Sequence, residues 1–400
     1  MSTTLPFHLI GISHHTADVA LRERISLAPD EITDWLAHER EAGRSLVVLA
    51  TCNRFELYWW GDEDQERRLR AFAARRGAAL PPGIIYQRDG AKAVRHLFAV
   101  AAGLDSQVFG ESEILGQLRR AYEMARSAGT STWALDAVFA AALAAGRRVR
   151  HETPIGRHPA SVGSAALAHA RLCWGDSLVG RHVLLLGAGE AAEVVLRALG
   201  SEPVGPVTLL NRTGERADAL AGSCRARAGD WRELPTALAD ADVVCVTTSA
   251  PHPVVTAATL EAAIAARGGR PIVVLDLAVP RNVEPAARDI PGVRLFDLDD
   301  LRLQHCPVTD GIAPAIDHAE RIIREELAQF RRALRSRAAA PHLAELHRIG
   351  ERLATEEADR ALAELGTLSD EQREVVRRMA SRLTRRLLYP ASRTIRERGF

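Results

Sequence analysis

The chain has 400 residues, is 47% hydrophobic and 26% charged, and carries a formal net charge of +1. That is globular composition with length for two or three domains, and it excludes a strongly basic nucleic-acid binder overall. Nearly all basic residues are arginine, with Lys92 the one lysine, which reads first as base-composition bias. No segment reaches the roughly 18 apolar residues of a membrane span, and the N-terminus lacks a basic region ahead of an apolar run. Cytoplasm is the expected compartment. Cys52, Cys173, Cys224, Cys245 and Cys306 lie far apart with no C-x-x-C pair. That spacing suggests neither a zinc site nor a disulfide framework.

The first ninety-odd residues alternate in type. "FHLIGIS" reads as a strand, "DEITDWLAHERE" as a helix, and "SLVVLA" and "FELYWW" as two strands. "DQERRLRAFAARR" is helical and "GIIYQR" is a strand. The order β-α-β-β-α-β predicts a ferredoxin-like split βαβ domain. Cys52 then falls in the turn between the second and third strands, at a polar break rather than inside an apolar run. On spacing alone it is either a reactive thiol or a small packed hydrophobe.

A helical zone follows from Ala91 to about Trp174, with Ile114, Leu115, Leu118, Tyr122 and Ala125 on one helix face. "HETPIGRHPA" interrupts it with two prolines and a glycine, which marks a domain boundary. From Arg181 short apolar runs alternate with helices: "HVLLLGAGE", "VTLLNRT", "DVVCVTTSA", "PIVVLDLAVP" and "VRLFDL". Such runs with crossover helices predict a doubly wound parallel sheet. After about Cys306 the chain is charged and helical, and "IDHAERIIREELAQFRRALRSRAAA" is expected to be one long helix. Leu343, Leu346, Ile349 and Leu353 keep helical spacing beyond Pro341. Such a helix must pack on a partner, in this chain or a second one. The expected domains are 1–155, 156–305 and 306–400. The fold class is α/β multidomain: a ferredoxin-like domain, a Rossmann domain and a C-terminal all-helical part built on one long helix.

"LLLGAGEAAEVV" holds G-x-G-x-x-A at Gly187, Gly189 and Ala192, after a strand and opening a helix. Gly187 permits the tight turn, Gly189 lets the backbone approach a pyrophosphate, and Ala192 allows close helix–strand packing. Helix-start amides around Ala188, Glu190 and Ala191 would hold the phosphates. The second strand ends in Asn211, Arg212 and Thr213, where an acid would mark an NAD site. Arginine suits a 2′-phosphate, so NADPH is the expected cofactor. "TTSAP" and "DLAVPRN" would close over the nicotinamide end. A thiol beside a nicotinamide can reduce an activated acyl group through a thioester.

The blocks "GISHHTADVALRERISL", "LATCNRFELYW", "RHLFAVAAGLDSQVFGESEILGQLRRAY", "RRVRHETPIG", "LLLGAGEAAE", "NRT", "DLAVPRNVEP" and "RRLLYPASRTIRE" lie in order along nearly the whole chain. In this series the chain resembles the glutamyl-tRNA reductase family. The resemblance implies a catalytic, an NADPH and a dimerisation domain. It also implies reduction of glutamyl-tRNA to glutamate-1-semialdehyde for tetrapyrrole synthesis, a homodimer, and handover of the aldehyde to an aminomutase. Cys52 corresponds to the nucleophile, Arg54 to the reader of the substrate carboxylate, and His96 to a residue assisting proton transfer. Thr51 and Asn53 flank the thiol. Ser106, Glu111, Ser112, Glu113 and Gln117 fall on the substrate-contacting segment, with Glu111 a partner for the substrate ammonium.

The family commonly has glutamine where this chain has Glu113, and a smaller residue at Phe55. A carboxylate at 113 repels an anionic side chain unless an arginine lies near. His14 and His15 lack a third ligand at useful spacing, so no metal is assigned. The competing readings are a paralogue acting on another aminoacyl-tRNA, a non-catalytic dimeric tRNA- or nucleotide-binding scaffold, and shikimate-dehydrogenase-like hydride transfer, which has no use for Cys52.

Overall fold

The computed structural model describes residues 5–61, 64–111, 113–156, 161–222, 226–301 and 309–398. The chain divides into two compact units, Met1–Ile323 and Arg324–Phe400.

The first unit opens with β1 (Phe7–Ser13), α1 (Val19–Ile25), α2 (Pro29–Glu41), β2 (Val47–Ala50), β3 (Arg54–Trp60), α3 (Gln65–Arg75) and β4 (Tyr86–Asp89). The strands pair antiparallel in the order β2-β3-β1-β4, the split βαβ sheet expected. Side chains alternate across a strand, and β3 uses both faces. Phe55, Leu57 and Trp59 enter the apolar core with Leu36, Leu69 and Phe72 from α2 and α3. Arg54, Glu56 and Tyr58 share the opposite face. That face is covered by α4 (Gly90–Ala101) and α6 (Trp133–Glu152), with α5 (Glu113–Ala128) between them in sequence. Tyr58 meets Phe139 of α6 edge to face at 5.6 Å between centroids.

Next come α7 (Val162–Cys173), β5 (Val183–Leu186), α8 (Glu190–Leu199), β6 (Val207–Asn211), α9 (Gly214–Gly222), β7 (Ala226–Asp230), α10 (Leu234–Asp240), β8 (Val243–Val246), α11 (Ala257–Ala266), β9 (Ile272–Asp276) and β10 (Val293–Asp297). Six strands run parallel in the order β10-β9-β8-β5-β6-β7, the doubly wound arrangement. Apolar cores lie on both faces, which is why the strands read as continuous apolar runs.

Two elements escape the sequence pattern. Helix α1 is too short for a 3.6-residue period to show. Strand β7, "ARAGD", is a half-exposed edge without β-branched residues.

The chain continues in α12 (Thr309–Glu364) and α13 (Asp370–Arg398). Helix α12 passes Pro341 unbroken and runs 56 residues, longer than the stretch expected. Within the second unit α13 packs on α12 at Gly350, where a Cβ would lie 2.6 Å from Leu388 Cδ1. Val375, Met379, Leu383, Leu387 and Tyr389 of α13 stay exposed.

Candidate active site

Cys52 sits in the turn joining β2 to β3, as the sequence pattern places it. The turn is closed by Thr51, whose N–H donates to the Arg54 carbonyl at 2.9 Å. The Thr51 hydroxyl accepts the N–H groups of Asn53 and Arg54, each at 3.2 Å. The thiol is half-buried and packs against the core of the parallel-sheet domain. Burial pushes it up to about 12, with the Glu111 carboxylate adding and Arg22 and Arg54 opposing. Asn53 is buried, and its Oδ1 has no hydrogen-bond partner among the described residues. Ser106 is buried as well, and its hydroxyl hydrogen-bonds the Glu111 carboxyl. An unspent amide oxygen in a buried site is suited to a polar ligand.

Arg54 is fully buried. Its Nη1 donates to Glu56 Oε1 at 3.1 Å and to Asp105 Oδ2 at 3.0 Å, and its Nη2 to the Asp105 carbonyl. The guanidinium is thus fully engaged by two carboxylates and a carbonyl. The Asp105 side chain is 28% exposed.

Glu56 is the centre of the network. The register pairs Gly11 of β1 with Glu56 on one side and Tyr86 on the other. A Cβ at Gly11 would lie 2.7 Å from Glu56 Cγ and 3.1 Å from the Tyr86 hydroxyl. Glycine thus opens the space in which the Tyr86 hydroxyl donates to Glu56 Oε1 at 2.5 Å. Tyr58 donates to Glu56 Oε2 at 2.5 Å, and His96 Nε2 of α4 lies 2.7 Å from Oε1. Burial opposes the Glu56 charge, but Arg54 and His96 hold the carboxyl well below the usual carboxylate range.

Glu111 is buried, and burial pushes its carboxyl up to about 7, with the Ser106 hydroxyl and Arg54 opposing and Glu113 adding. Glu113 begins α5, and Gln117 lies one turn on, both half-buried. Arg150 of α6 donates to the carbonyls of Gly110 and Glu111 and faces the carboxylates of Glu113 and Glu111. That is the arginine a carboxylate at 113 requires. Ser112 lies outside the described residues. His14 joins the site through its N–H, which donates to the Asn53 carbonyl at 2.9 Å. Burial holds its imidazole down to about 3, with His15 and Arg54 adding.

The structure brings Thr51, Cys52, Asn53, Arg54, His96, Ser106 and Glu111 to one region. Glu56, Tyr86, Asp105 and Arg22 belong there too and were not picked out from sequence. Glu56 carried a signal: a lone acid inside the apolar strand "FELYWW", in phase with Arg54. Asp105 carried none.

At the nucleotide motif Gly187 has φ +108, and a Cβ there would lie 2.9 Å from Thr247 Oγ1. Gly189 caps α8 with no side-chain cap, and nothing lies within 4 Å of where its Cβ would be. The start of α8 is thus uncovered at Gly189, which leaves room for a phosphate at that helix N-terminus. Ala192 is fully buried against the sheet core, Ala188 is half-buried, and Glu190 and Ala191 are exposed. Glu190 pairs with Arg120 of α5 at 2.8 Å. Asn211 donates to the Thr213 carbonyl at 2.9 Å, and Arg212 and Thr213 are exposed at the end of β6. Among the described residues no helix is long and apolar enough to cross a membrane, and no cluster of three or more His, Cys, Asp and Glu is placed to hold a metal.

Three family models match the chain. They are "Glutamyl-tRNAGlu reductase, N-terminal domain" over residues 10–153, "Shikimate / quinate 5-dehydrogenase" over 167–303, and "Glutamyl-tRNAGlu reductase, dimerisation domain" over 318–399. A curated glutamyl-tRNA reductase from Desulforudis audaxviator is 39% identical over 389 residues, covering 95% of this chain and 87% of the relative. One from Deinococcus radiodurans is 42% identical over 321 residues, covering 80% of this chain and 91% of the relative. The solved glutamyl-tRNA reductase from Methanopyrus kandleri is 33% identical and covers 98% of both chains, with a TM-score of 0.47.

Proposed function

This chain belongs to the glutamyl-tRNA reductase family, and from that premise we propose that it reduces glutamyl-tRNA to glutamate-1-semialdehyde with NADPH, through a thioester on Cys52. That reaction is the first step of tetrapyrrole synthesis. The observation that carries the reading is the place of Cys52: its thiol packs on the core of the nucleotide-binding domain while its turn holds Arg54.

The substrate ammonium pairs with Glu111 and cancels the negative charge that raises the thiol. Arg22 and Arg54 then favour the thiolate. Arg54, released by Asp105, takes the side-chain carboxylate as a planar fork. Asn53, Ser106, Glu113 and Gln117 complete the substrate cavity with Thr51, and Arg150 offsets the charge of Glu113. The Cys52 sulfur bonds to the ester carbonyl, the bond to the tRNA 3′-oxygen breaks, and the thiol proton ends on that oxygen. NADPH, when bound, supplies the hydride that reduces the thioester. His96, oriented by Glu56, gives a proton to the resulting oxyanion of the hemithioacetal. Collapse breaks the carbon–sulfur bond, frees the aldehyde and restores the thiol.

Gly187, Ala188, Gly189, Glu190, Ala191 and Ala192 would hold the pyrophosphate. Asn211, Arg212 and Thr213 would hold the 2′-phosphate, which favours NADPH over NADH. The proposed catalytic, nucleotide and dimerisation domains are 1–155, 156–305 and 306–400. The chain forms a homodimer through its C-terminal helices, works in the cytoplasm on charged tRNA, and hands the aldehyde to glutamate-1-semialdehyde aminomutase.

The test is turnover of glutamyl-tRNA with NADPH beside Cys52→Ser. Aldehyde is expected only with the native thiol, and mass spectrometry should find a glutamyl adduct on Cys52 when NADPH is withheld. Product from an enzyme whose Cys52 is never acylated would sink the reading.

A further inference from the structure

A buried guanidinium on α1 is shared between the thiol turn and the nucleotide domain. Arg22 is 4% exposed. Its Nε donates to the Cys52 carbonyl at 3.1 Å and its Nη1 to the Ala17 carbonyl at 3.0 Å. Nη1 and Nη2 both reach Asp299 Oδ1, at 3.1 and 3.0 Å. The other oxygen of Asp299 accepts the Val19 N–H at 2.6 Å. Asp299 lies in the turn after β10, and that turn is braced: its N–H donates to Asp297 Oδ1 at 3.0 Å.

The next residue on α1 makes a second tie. Glu23 Oε1 accepts from the N–H and Nε of Arg281 at 2.5 and 2.8 Å, and Oε2 from Nη2 at 3.1 Å. Arg281 lies in the loop after β9. Asp276 shapes that loop by accepting the N–H groups of Ala278, Asn282 and Val283. Both tied loops leave the carboxyl ends of the parallel strands, the edge where a doubly wound sheet binds its ligand.

We propose that the pairs Arg22–Asp299 and Glu23–Arg281 form a latch that seats the thiol turn against the nucleotide-binding edge. Asp299 and Glu23 are then positioning residues for the reduction step. This inference rests on the thioester reading above. Acyl transfer to Cys52 needs only the thiol's own domain. Reduction also needs the nucleotide edge held at the thioester, and a small misplacement of reacting groups is costly. A weakened latch therefore spares the first step and slows the second, leaving the thioester to water. Arg22 serves both steps because it also holds the Cys52 carbonyl, so the informative substitutions lie elsewhere.

The experiment uses the full-length dimer and glutamyl-tRNA in single turnover. Acylation of Cys52 is timed without NADPH, and the ratio of aldehyde to free glutamate is measured with it. Asp299→Asn and Glu23→Arg are expected to acylate within about threefold of the parent but to lower the ratio by about tenfold. The acylation itself reports that each variant is folded. The double change Glu23→Arg with Arg281→Glu restores the ion pair and is expected to recover most of the lost ratio. An unchanged ratio with acylation intact overturns the latch alone. Acylation and reduction falling together, or a double variant no better than Glu23→Arg, also overturns it. A parent that never acylates Cys52 overturns the thioester reading first, and this inference with it.

Discussion

His96 Nε2 lies 2.7 Å from Glu56 Oε1, the oxygen that also takes Arg54 Nη1 at 3.1 Å and the Tyr86 hydroxyl at 2.5 Å. One buried carboxylate thus orients both the histidine offered for proton transfer and the arginine offered for the substrate carboxylate.

Replacing that carboxylate by Glu56→Gln leaves Arg54 and His96 without their shared anion. Breaking a buried ion pair this way costs about 3–5 kcal/mol of stability, and turnover is expected to fall by about 100-fold. The acid dependence changes too. The folded-state pKa of Glu56 is depressed, so its stabilisation is complete above the unfolded value of about 4.3 and is lost as pH falls below it. Urea midpoints taken from neutral pH into the acid range should decline less steeply in the variant. Equal slopes would show that Glu56 carries no such linkage.

Burial raises the Cys52 thiol most, and the Glu111 carboxylate adds to it. Glu111→Gln removes that charge, so the thiol pKa should drop, and alkylation by iodoacetamide near pH 8 should quicken by about tenfold. The same variant loses its ammonium partner, and KM for glutamyl-tRNA should rise. A slower alkylation would contradict the electrostatics.

Cofactor choice is tested at the end of β6. Asn211→Asp with Arg212→Ala places an acid at the proposed ribose position and removes the cation proposed for a 2′-phosphate. KM for NADPH is expected to rise by about tenfold or more while KM for NADH does not. Parallel changes for both nucleotides would mean that Arg212 is only a solvated loop residue.

Met379 and Leu383 are exposed on α13 at helical spacing. Met379→Asp with Leu383→Asp puts charge on that apolar row without touching a buried residue. Sedimentation velocity should then find monomers at concentrations where the parent is a dimer. A dimer surviving the double change would place the interface elsewhere.

Much of the architecture was legible because it is local. Alternating and continuous apolar runs mark the strands, and a polar break in "LATCNRFELYW" marks the turn that holds the thiol. The glycine spacing of "GAGEAA" marks the tight turn into α8, where Gly187 takes φ +108. Helix α1 was not legible, since its seven residues offer no full apolar period, and β7 offers only small residues at an edge. The expected role of Glu113 needed a nearby cation, and Arg150 faces it from α6.

By itself the sequence determined which residues turn, pair as strands or coil as helices, because those choices depend on backbone preference and apolar period within a few residues. Only the tertiary structure decided the partners of the charges. Arg54 meets Asp105, 51 residues away, and Arg22 meets Asp299, 277 residues away. A charge's partner is set by which surfaces the closed chain presses together, and no local propensity encodes that.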